Sequence, residues 1–539
     1  MRPLAAARMI HQVRVLTFLF LAGFTAGHAE TKVSPLFSDH AVLQQGLADP
    51  VWGWDAPGTH ITVSFAGQTK ETNADANSRW RVVLDPMPAQ ATAQTLVIQG
   101  ASRHEVHDVL VGEVWLCSGQ SNMGFALSRT DNAPLEAATS HLPGLRLLSV
   151  TNATSQWPQA TFEGTWAPCT PESSLEFSAI GLFFGRYLHE ILQTPVGIIS
   201  NACGGSSIEA WMDRTSIEGR SEFPDTIASL HKMEARASQP QFLERFAKQT
   251  EEYRRDMAAF RAALESHTIP QPSQPRRPHD PRDFLGGPLR AGNLYNGALH
   301  PLAGYGIKGV LWYQGESNAN QAAEYEGLFT TLIPQWRALW HEGDFPFYWV
   351  QLPNYGQRTS DPPVDDSWAR AREGQSKALR LPHTAQAVAI DLGVGDDLHP
   401  HNKMDVAARL ARIALANDYG KTAIPSQSPQ FHSVEFAKER AIVTFDHPGS
   451  GLCVRYNDDL RGFAIAGSDR VWHWAHAQIQ EPNQVIIWNE KTPHPAFVRY
   501  AWGDNPECNL YTNDGLPATP FRTDTFAEIT PAATPVAKH

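Results

Sequence analysis

Val114-Trp115-Leu116-Cys117-Ser118-Gly119-Gln120-Ser121-Asn122-Met123 is an apolar run that stops at a glycine-led polar turn. The layout recurs twice. Val196-Gly197-Ile198-Ile199 leads to Gly204-Gly205-Ser206, and Val310-Leu311-Trp312-Tyr313 leads to Gln314-Gly315-Glu316-Ser317-Asn318. A fourth run, Ala387-Val388-Ala389-Ile390, precedes Asp396-Asp397-Leu398-His399. Compact apolar runs of this length read as strands buried on both faces, and helical patterns stand between them. Ile180, Phe183, Phe184, Tyr187, Leu188 and Ile191 follow the i, i+3, i+4, i+7 spacing, and Met404 to Ala416 does the same. Alternating strands and helices give an α/β fold with a parallel sheet, in which the loops after the strands converge on one ligand crevice.

Outside this region the period changes. From residue 30 to about 108, short alternating runs such as Ile61-Thr62-Val63-Ser64-Phe65 and Arg79-Trp80-Arg81-Val82-Val83-Leu84 are cut by Gly, Pro, Asn and Asp, which reads as an N-terminal β-domain. The α/β core then spans 109–425. Within it, 216–285 reads as an insertion: an amphipathic helical stretch through Leu243, Phe246, Tyr253, Met257, Phe260 and Leu264, then the stiff linker Pro270-Gln271-Pro272-Ser273-Gln274-Pro275. From 426 to 539 the β pattern returns, with Ala441-Ile442-Val443-Thr444-Phe445 and Val485-Ile486-Ile487-Trp488, as a C-terminal β-sandwich.

The first 29 residues have another character. Arg2, Arg8 and Arg14 precede an apolar stretch from Val15 to Phe24 and the small residues Ala26-Gly27-His28-Ala29, the layout of a secretory signal peptide cleaved after Ala29. The mature protein is therefore expected to be exported, periplasmic or secreted, and free of membrane once the leader is gone. Five cysteines leave at least one unpaired within the chain, and their spacing suggests neither a cystine framework nor a zinc site. The 539 residues carry a net charge of -12, so nucleic acid is not an expected partner, because that binding draws on clustered Lys and Arg. A neutral or weakly charged substrate suits the chain better.

The four loops together hold the parts of a serine hydrolase. A serine hydroxyl becomes a nucleophile when a base takes its proton, and donors must then hold the charge that builds on the attacked carbonyl oxygen. Ser121 lies in a glycine-led turn expected to open a helix from Asn122 to Leu127, whose N-terminus would favour that charge. Gly205 can bring a backbone N–H close to a ligand, since it has no Cβ. Gln314 or Asn318 can add a side-chain amide. His399 would be the base, with a carboxylate two or three residues earlier, Asp397 or Asp396, to orient it. Each piece alone is commonplace: a Gly-x-Ser turn is more often only a turn, and this one is not the Gly-x-Ser-x-Gly elbow. His399 and His401 without further ligands are a weak metal signal, so no metal or other cofactor is expected.

Trp115 to Met123, Gly204 to Trp211, Trp312 to Asn318, and Asp397-Leu398-His399-Pro400-His401-Asn402-Lys403 resemble, in order, the blocks of the sialate O-acetylesterase-like carbohydrate esterases of the SGNH hydrolase superfamily. Leu294 to Pro301, Arg499-Tyr500-Ala501-Trp502 and Asn509-Leu510-Tyr511 extend the likeness over most of the chain. The resemblance implies a three-layer α/β/α core with accessory jelly-roll-like β-domains and removal of acetyl groups from sugar hydroxyls. By position, Ser121 is the nucleophile, His399 the base and Asp396 the preferred acid over Asp397. Ser121, Gly205 and Gln314 would form the oxyanion hole. Asn318 and Trp211 would contact substrate, an acetylated sugar or oligosaccharide of either sialic acid or plant cell-wall type such as xyloglucan or xylan. A different class of reading is an exported glycan-binding protein with an inactive core; the complete Ser, His and acid set argues against it.

Overall fold

The computed structural model describes residues 30–526 except 152, 267–272, 279, 363–365, 457 and 481. The leader and the first half of the Pro-rich run expected at 270–275 therefore lie outside the described residues. The seven strands of the α/β sheet are β1 (Arg103–Gly119), β2 (Leu142–Ser149), β3 (Trp166–Cys169), β4 (Val196–Ala202), β5 (Gly309–Tyr313), β6 (Phe347–Gln351) and β7 (Thr384–Val388). Their order is β3-β2-β4-β1-β5-β6-β7. All neighbours are parallel except the β3–β2 edge pair.

Side chains of successive residues leave a strand on opposite faces, and this divides the core in two. Trp115 and Cys117 of β1 and Ile198 of β4 pack with helices α1 (Ala179–Leu192) and α4 (Lys403–Asp418). Leu116, Ile199, Val310 and Trp312 join the other cluster with Leu328, Phe329, Leu332 and Trp336 of helix α2 (Ala322–Trp340). Helix α3 (Ser367–Lys377) follows β6. The ends of α1 and α4 are set by short polar side chains: Ser178 Oγ accepts from the Gly181 N–H at 3.1 Å, and Asn402 Oδ1 from the Asp405 N–H at 3.1 Å.

The expected boundary at 108/109 falls inside a continuous strand. β1 begins in the N-terminal sheet, paired with Gln90–Gln99 and Val42–Gln44, and ends in the middle of the α/β sheet between β4 and β5. One 17-residue strand thus belongs to both regions. The C-terminal part has two four-stranded antiparallel sheets, one holding Arg440–Asp446 and Gln484–Trp488, the other Phe463–Ala466 and Phe497–Tyr500. They enclose a common core that also takes in Val388 and Ile390. Among the described residues, neither sheet includes a strand of the N-terminal β region. The amphipathic stretch of the insertion is one helix, Pro240–Glu265, with no buried residue.

Where the N-terminal β region meets the core, two carboxyl groups lie near each other, Asp49 buried and Glu342 half-buried. Asp49, 2% exposed, is held well above the usual carboxylate range by burial and by Glu342. Burial pushes Glu342 up to about 8 from an ordinary 4.5. A carboxyl that binds its proton more tightly when folded loses stability for the fold as pH rises from its unfolded value to its folded one. The window here runs from 4.5 to about 8. Glu342→Gln, which cannot ionise, should accordingly raise the melting temperature over wild type at pH 8 and change it little at pH 5. Equal shifts at both pH values would contradict a Glu342 that holds its proton in the folded state.

Candidate functional site

Strand register puts the loops after three strands side by side. Gly119 pairs with Ala202 on one flank and Tyr313 on the other, so β1, β4 and β5 end at one level. The Gln120 N–H donates to the Tyr313 carbonyl at 2.9 Å, and the Cys203 N–H to the Gly119 carbonyl at 3.0 Å. Gly119 has φ 134°, and a Cβ there would meet the Tyr313 carbonyl oxygen at 2.1 Å, so no other residue fits. Gly205, at φ +70°, has open space around it; its backbone angle is what calls for glycine.

The Ser121 Oγ and His399 Nε2 atoms lie 2.7 Å apart, although 278 residues separate them. Burial lowers the histidine from its ordinary value, Lys403 and Arg129 push the same way, and Asp397 opposes them. A hydroxyl bonded to a neutral imidazole can give up its proton to it. Among the described residues, neither the Ser121 nor the Gly205 backbone N–H has an acceptor within the protein. Ser121 is half-buried and Gly205 exposed.

The turn that carries Ser121 does not open a helix. The Met123 and Gly124 N–H groups both donate to the Gln120 carbonyl, closing a tight turn. Ala126 then forms a bridge with Ser178, and Leu127 N–H donates to the Phe177 carbonyl. The neighbouring segment satisfies the donors that a helix would have used, leaving one 3-10 turn at Leu127–Arg129.

Of the two aspartates, the structure brings Asp397 to the histidine. Its Oδ1 accepts from the His399 backbone N–H at 2.8 Å, and its Oδ2 lies 3.5 Å from His401 Nε2. Asp396 points into solvent and bonds to nothing among the described residues. A two-residue step lets the carboxylate fold back onto its own loop, as Asp commonly does in turns. The C-terminal domain and helix α4 brace the same loop: Tyr511 Oη donates to Asp391 Oδ2 at 2.9 Å, and the guanidinium of Arg409 in α4 holds both Asp391 oxygens at 2.6 and 2.7 Å.

Gln314, Asn318 and Trp211 lie behind the site instead of lining it. The Gln314 amide nitrogen donates to Asn318 Oδ1 at 2.7 Å and to the Ser206 carbonyl at 3.2 Å, which uses both its hydrogens and leaves none for an oxyanion. Asn318 Nδ2 donates to both oxygens of Glu209 at 3.1 Å, and Asn318 Oδ1 also accepts from the Ile208 N–H at 2.9 Å. Trp211 is fully buried against Trp312 and Trp336, and its Nε1 donates to Ser206 Oγ at 3.0 Å. Together they fasten the Gly204-Gly205-Ser206 turn to the loop after β5. Sequence reading assigned no role to Asn122 and Lys403, which sit beneath the Ser121–His399 pair. Their mark in the sequence is membership of the Trp115–Met123 and Asp397–Lys403 blocks, which gives them no role by residue type alone.

Deleting one member of this bonded set should cost stability. In Asn318→Ala the Glu209 carboxylate, the Gln314 amide and the Ile208 N–H all lose a partner in a dry interior. The expected loss is roughly 3 kcal/mol, read as a lower urea midpoint. An unchanged midpoint would mean that these bonds do not hold the loops.

Comparison with known proteins bears on the site as a whole. The family described as carbohydrate esterase, sialic acid-specific acetylesterase, matches residues 111–266 and 290–418. The chain is 31% identical to the sialate O-acetylesterase of Rattus norvegicus, covering 90% of this chain and 92% of the relative. Against the Homo sapiens sialate O-acetylesterase it is 28% identical, with 94% and 95% covered. A crystal structure of a carbohydrate acetylesterase from Xanthomonas citri superposes with a TM-score of 0.76 at 36% identity, over 92% of this chain and all of that one. With Ser121 and His399 in bonding contact inside the matched region, the chain is a carboxylic ester hydrolase and belongs to the sialic acid-specific acetylesterase family of carbohydrate esterases.

Proposed function

We propose that the chain is an exported serine esterase that removes acetyl groups from sugar hydroxyls through an acetyl-enzyme. The observation that carries this reading is the 2.7 Å contact between Ser121 Oγ and His399 Nε2 beside two backbone donors with no acceptor among the described residues. Ser121 Oγ attacks the acetyl carbonyl carbon while His399 Nε2 takes the hydroxyl proton. The carbonyl oxygen becomes an oxyanion held by the Ser121 and Gly205 N–H groups. The C–O bond to the sugar then breaks, and His399 returns the proton to the departing sugar oxygen. Water, deprotonated by the same imidazole, cleaves the acetyl-enzyme to acetate and restores Ser121.

Asp397, in place of Asp396, is the acid in this scheme. Its support is the bond to the His399 N–H and its favourable field at the imidazole. The oxyanion hole is read as two backbone donors, since the Gln314 amide is occupied. The architecture reads as a three-layer α/β/α SGNH core, supported by the packing of α1 and α4 on one sheet face and α2 on the other. Residues 1–29 support export, having the composition of a leader. The substrate in this reading is an acetylated sugar, either sialic acid or a cell-wall glycan such as xyloglucan or xylan; the likeness to sialate O-acetylesterases and to a carbohydrate acetylesterase supports the sugar ester and leaves the sugar open. Acetate release across acetylated sialosides and hemicellulose oligosaccharides would choose between them.

Ser121→Ala should abolish acetate release; full retained activity would falsify the nucleophile assignment. Asp397→Asn should lower kcat roughly a hundredfold, the equivalent of about 3 kcal/mol of lost charge stabilisation a few ångströms away at an effective dielectric of about 20. Asp396→Asn should stay near wild type, and the reverse ranking would return the role to Asp396. Because the imidazole must be neutral to act, kcat/KM should fall as pH drops through the His399 midpoint. That midpoint should lie below the ordinary 6.5, since burial disfavours the cation.

A further inference from the structure

Three polar side chains lie against the Ser121–His399 pair and take no part in the steps above: Asn122, Glu316 and Lys403. Lys403, the first residue of α4, is 1% exposed, an uncommon place for an ammonium group. Its Nζ donates to Asn122 Oδ1 at 2.6 Å and lies 4.6 Å from the centre of the Phe125 ring and 5.8 Å from that of Tyr313. The other end of the Asn122 amide donates to Glu316 Oε1 at 2.5 Å and to the Leu398 carbonyl at 3.0 Å. Glu316 is itself buried, and its second oxygen has no partner among the described residues. The bonds therefore join the residue after Ser121 to the residue before His399, with a buried cation and a buried acid at the two ends.

From this arrangement we infer that Lys403 is a positioning residue: through Asn122 it locks the Ser121 turn to the His399 loop, and its charge holds the His399 imidazole in the proton-accepting form. The role in turnover rests on the reading of Ser121 and His399 as nucleophile and base. Simple anchoring would not require a cation. A neutral side chain could hold Asn122, whereas burying an ammonium costs several kcal/mol of desolvation unless its field is used or matched. Part of the match is Glu316 from the loop after β5 and Asp397 from the histidine loop, with Arg129 opposing them from the 3-10 turn. The Tyr313 ring, from the end of β5, also lies against it. Burial dominates and brings Lys403 down to about 7, so it is charged across the acid range in which His399 titrates. His399 faces the same set: Lys403 and Arg129 disfavour its protonation, and Asp397 favours it. His401, the other imidazole of that loop, packs on the Phe125 ring and lies 3.5 Å from Asp397.

The test compares Lys403→Met, Lys403→Gln and Lys403→Arg with wild type by two readouts. One is the pH profile of kcat/KM on p-nitrophenyl acetate; the other is the His399 titration followed by NMR in enzyme carrying 15N-labelled histidine. Lys403→Gln keeps an amide donor for Asn122 and carries the test if Lys403→Met does not fold. Removing the cation should raise both midpoints by roughly one pH unit and lower kcat more than it changes KM. Lys403→Arg should keep the wild-type midpoint even where its rate falls, because the charge remains. Folded neutral variants whose rate drops equally at every pH, with an unmoved His399 midpoint, would overturn the inference and leave Lys403 a structural anchor. If Ser121→Ala retained activity, the nucleophile reading would fall, while the NMR midpoint would still decide whether Lys403 governs the imidazole.

Discussion

The parallel pairing of β1 between β4 and β5, with Gly119 level with Ala202 and Tyr313, is the constraint on which the site depends. Parallel strands that end together release their loops together, and here those loops bring Ser121, the Gly204-Gly205-Ser206 turn and Gln314 to one place. The fit is tight enough that Gly119 lies against the Tyr313 carbonyl with no room for a Cβ. A one-residue slip of β1 would turn every side chain of the strand to the opposite face and carry Ser121 off the crevice. Register is held by burial: Val114, Trp115, Leu116 and Cys117 are all fully buried, alternately in the two clusters.

Polar residues then convert this scaffold into a shaped site. Two bonded sets lie behind the crevice. One links Gln314, Asn318, Glu209 and Ser206; the other links Asn122, Lys403, Glu316 and the Leu398 carbonyl. Polar groups withdrawn from water stabilise a single geometry when each has its partner, and destabilise the fold when one is missing. Both sets join loops that follow different strands. The rigidity that a two-atom contact such as Ser121 to His399 needs is thus built between the loops and not within any one of them. The C-terminal domain adds a third support by bonding Asp391 through Tyr511 Oη, so the histidine loop is held from both sides.

Much of this was legible in the chain because it rests on local rules. The strands and helices of the core follow the apolar periodicities read for them, with α1 at Ala179–Leu192 and α4 at Lys403–Asp418. Ser121, Gly205 and His399 stand out as chemically able groups on turn-permissive loops. Gln314, Asn318 and Trp211 share a property: each bears a group suited to touching a substrate, and the fold turns that group inward. The helix expected after Ser121 failed for the same kind of reason, since the segment near Phe177 and Ser178 supplied bonds that no local pattern announces.

The sequence by itself determined the α/β class, four of the core's strand-and-loop units, two of its helices and the β regions on either side, because periodicity and turn chemistry act over a few residues. Tertiary structure decided which side chains face the crevice and which brace it. It brought Asp397 to the histidine and left Asp396 in solvent, saturated the Gln314 amide, and placed Lys403 and Glu316 at opposite ends of one asparagine. These are contacts between residues far apart in the chain or differences of one residue in a loop. Neither is encoded by spacing; both are set by which donors, acceptors and charges remain unsatisfied once the sheet has closed.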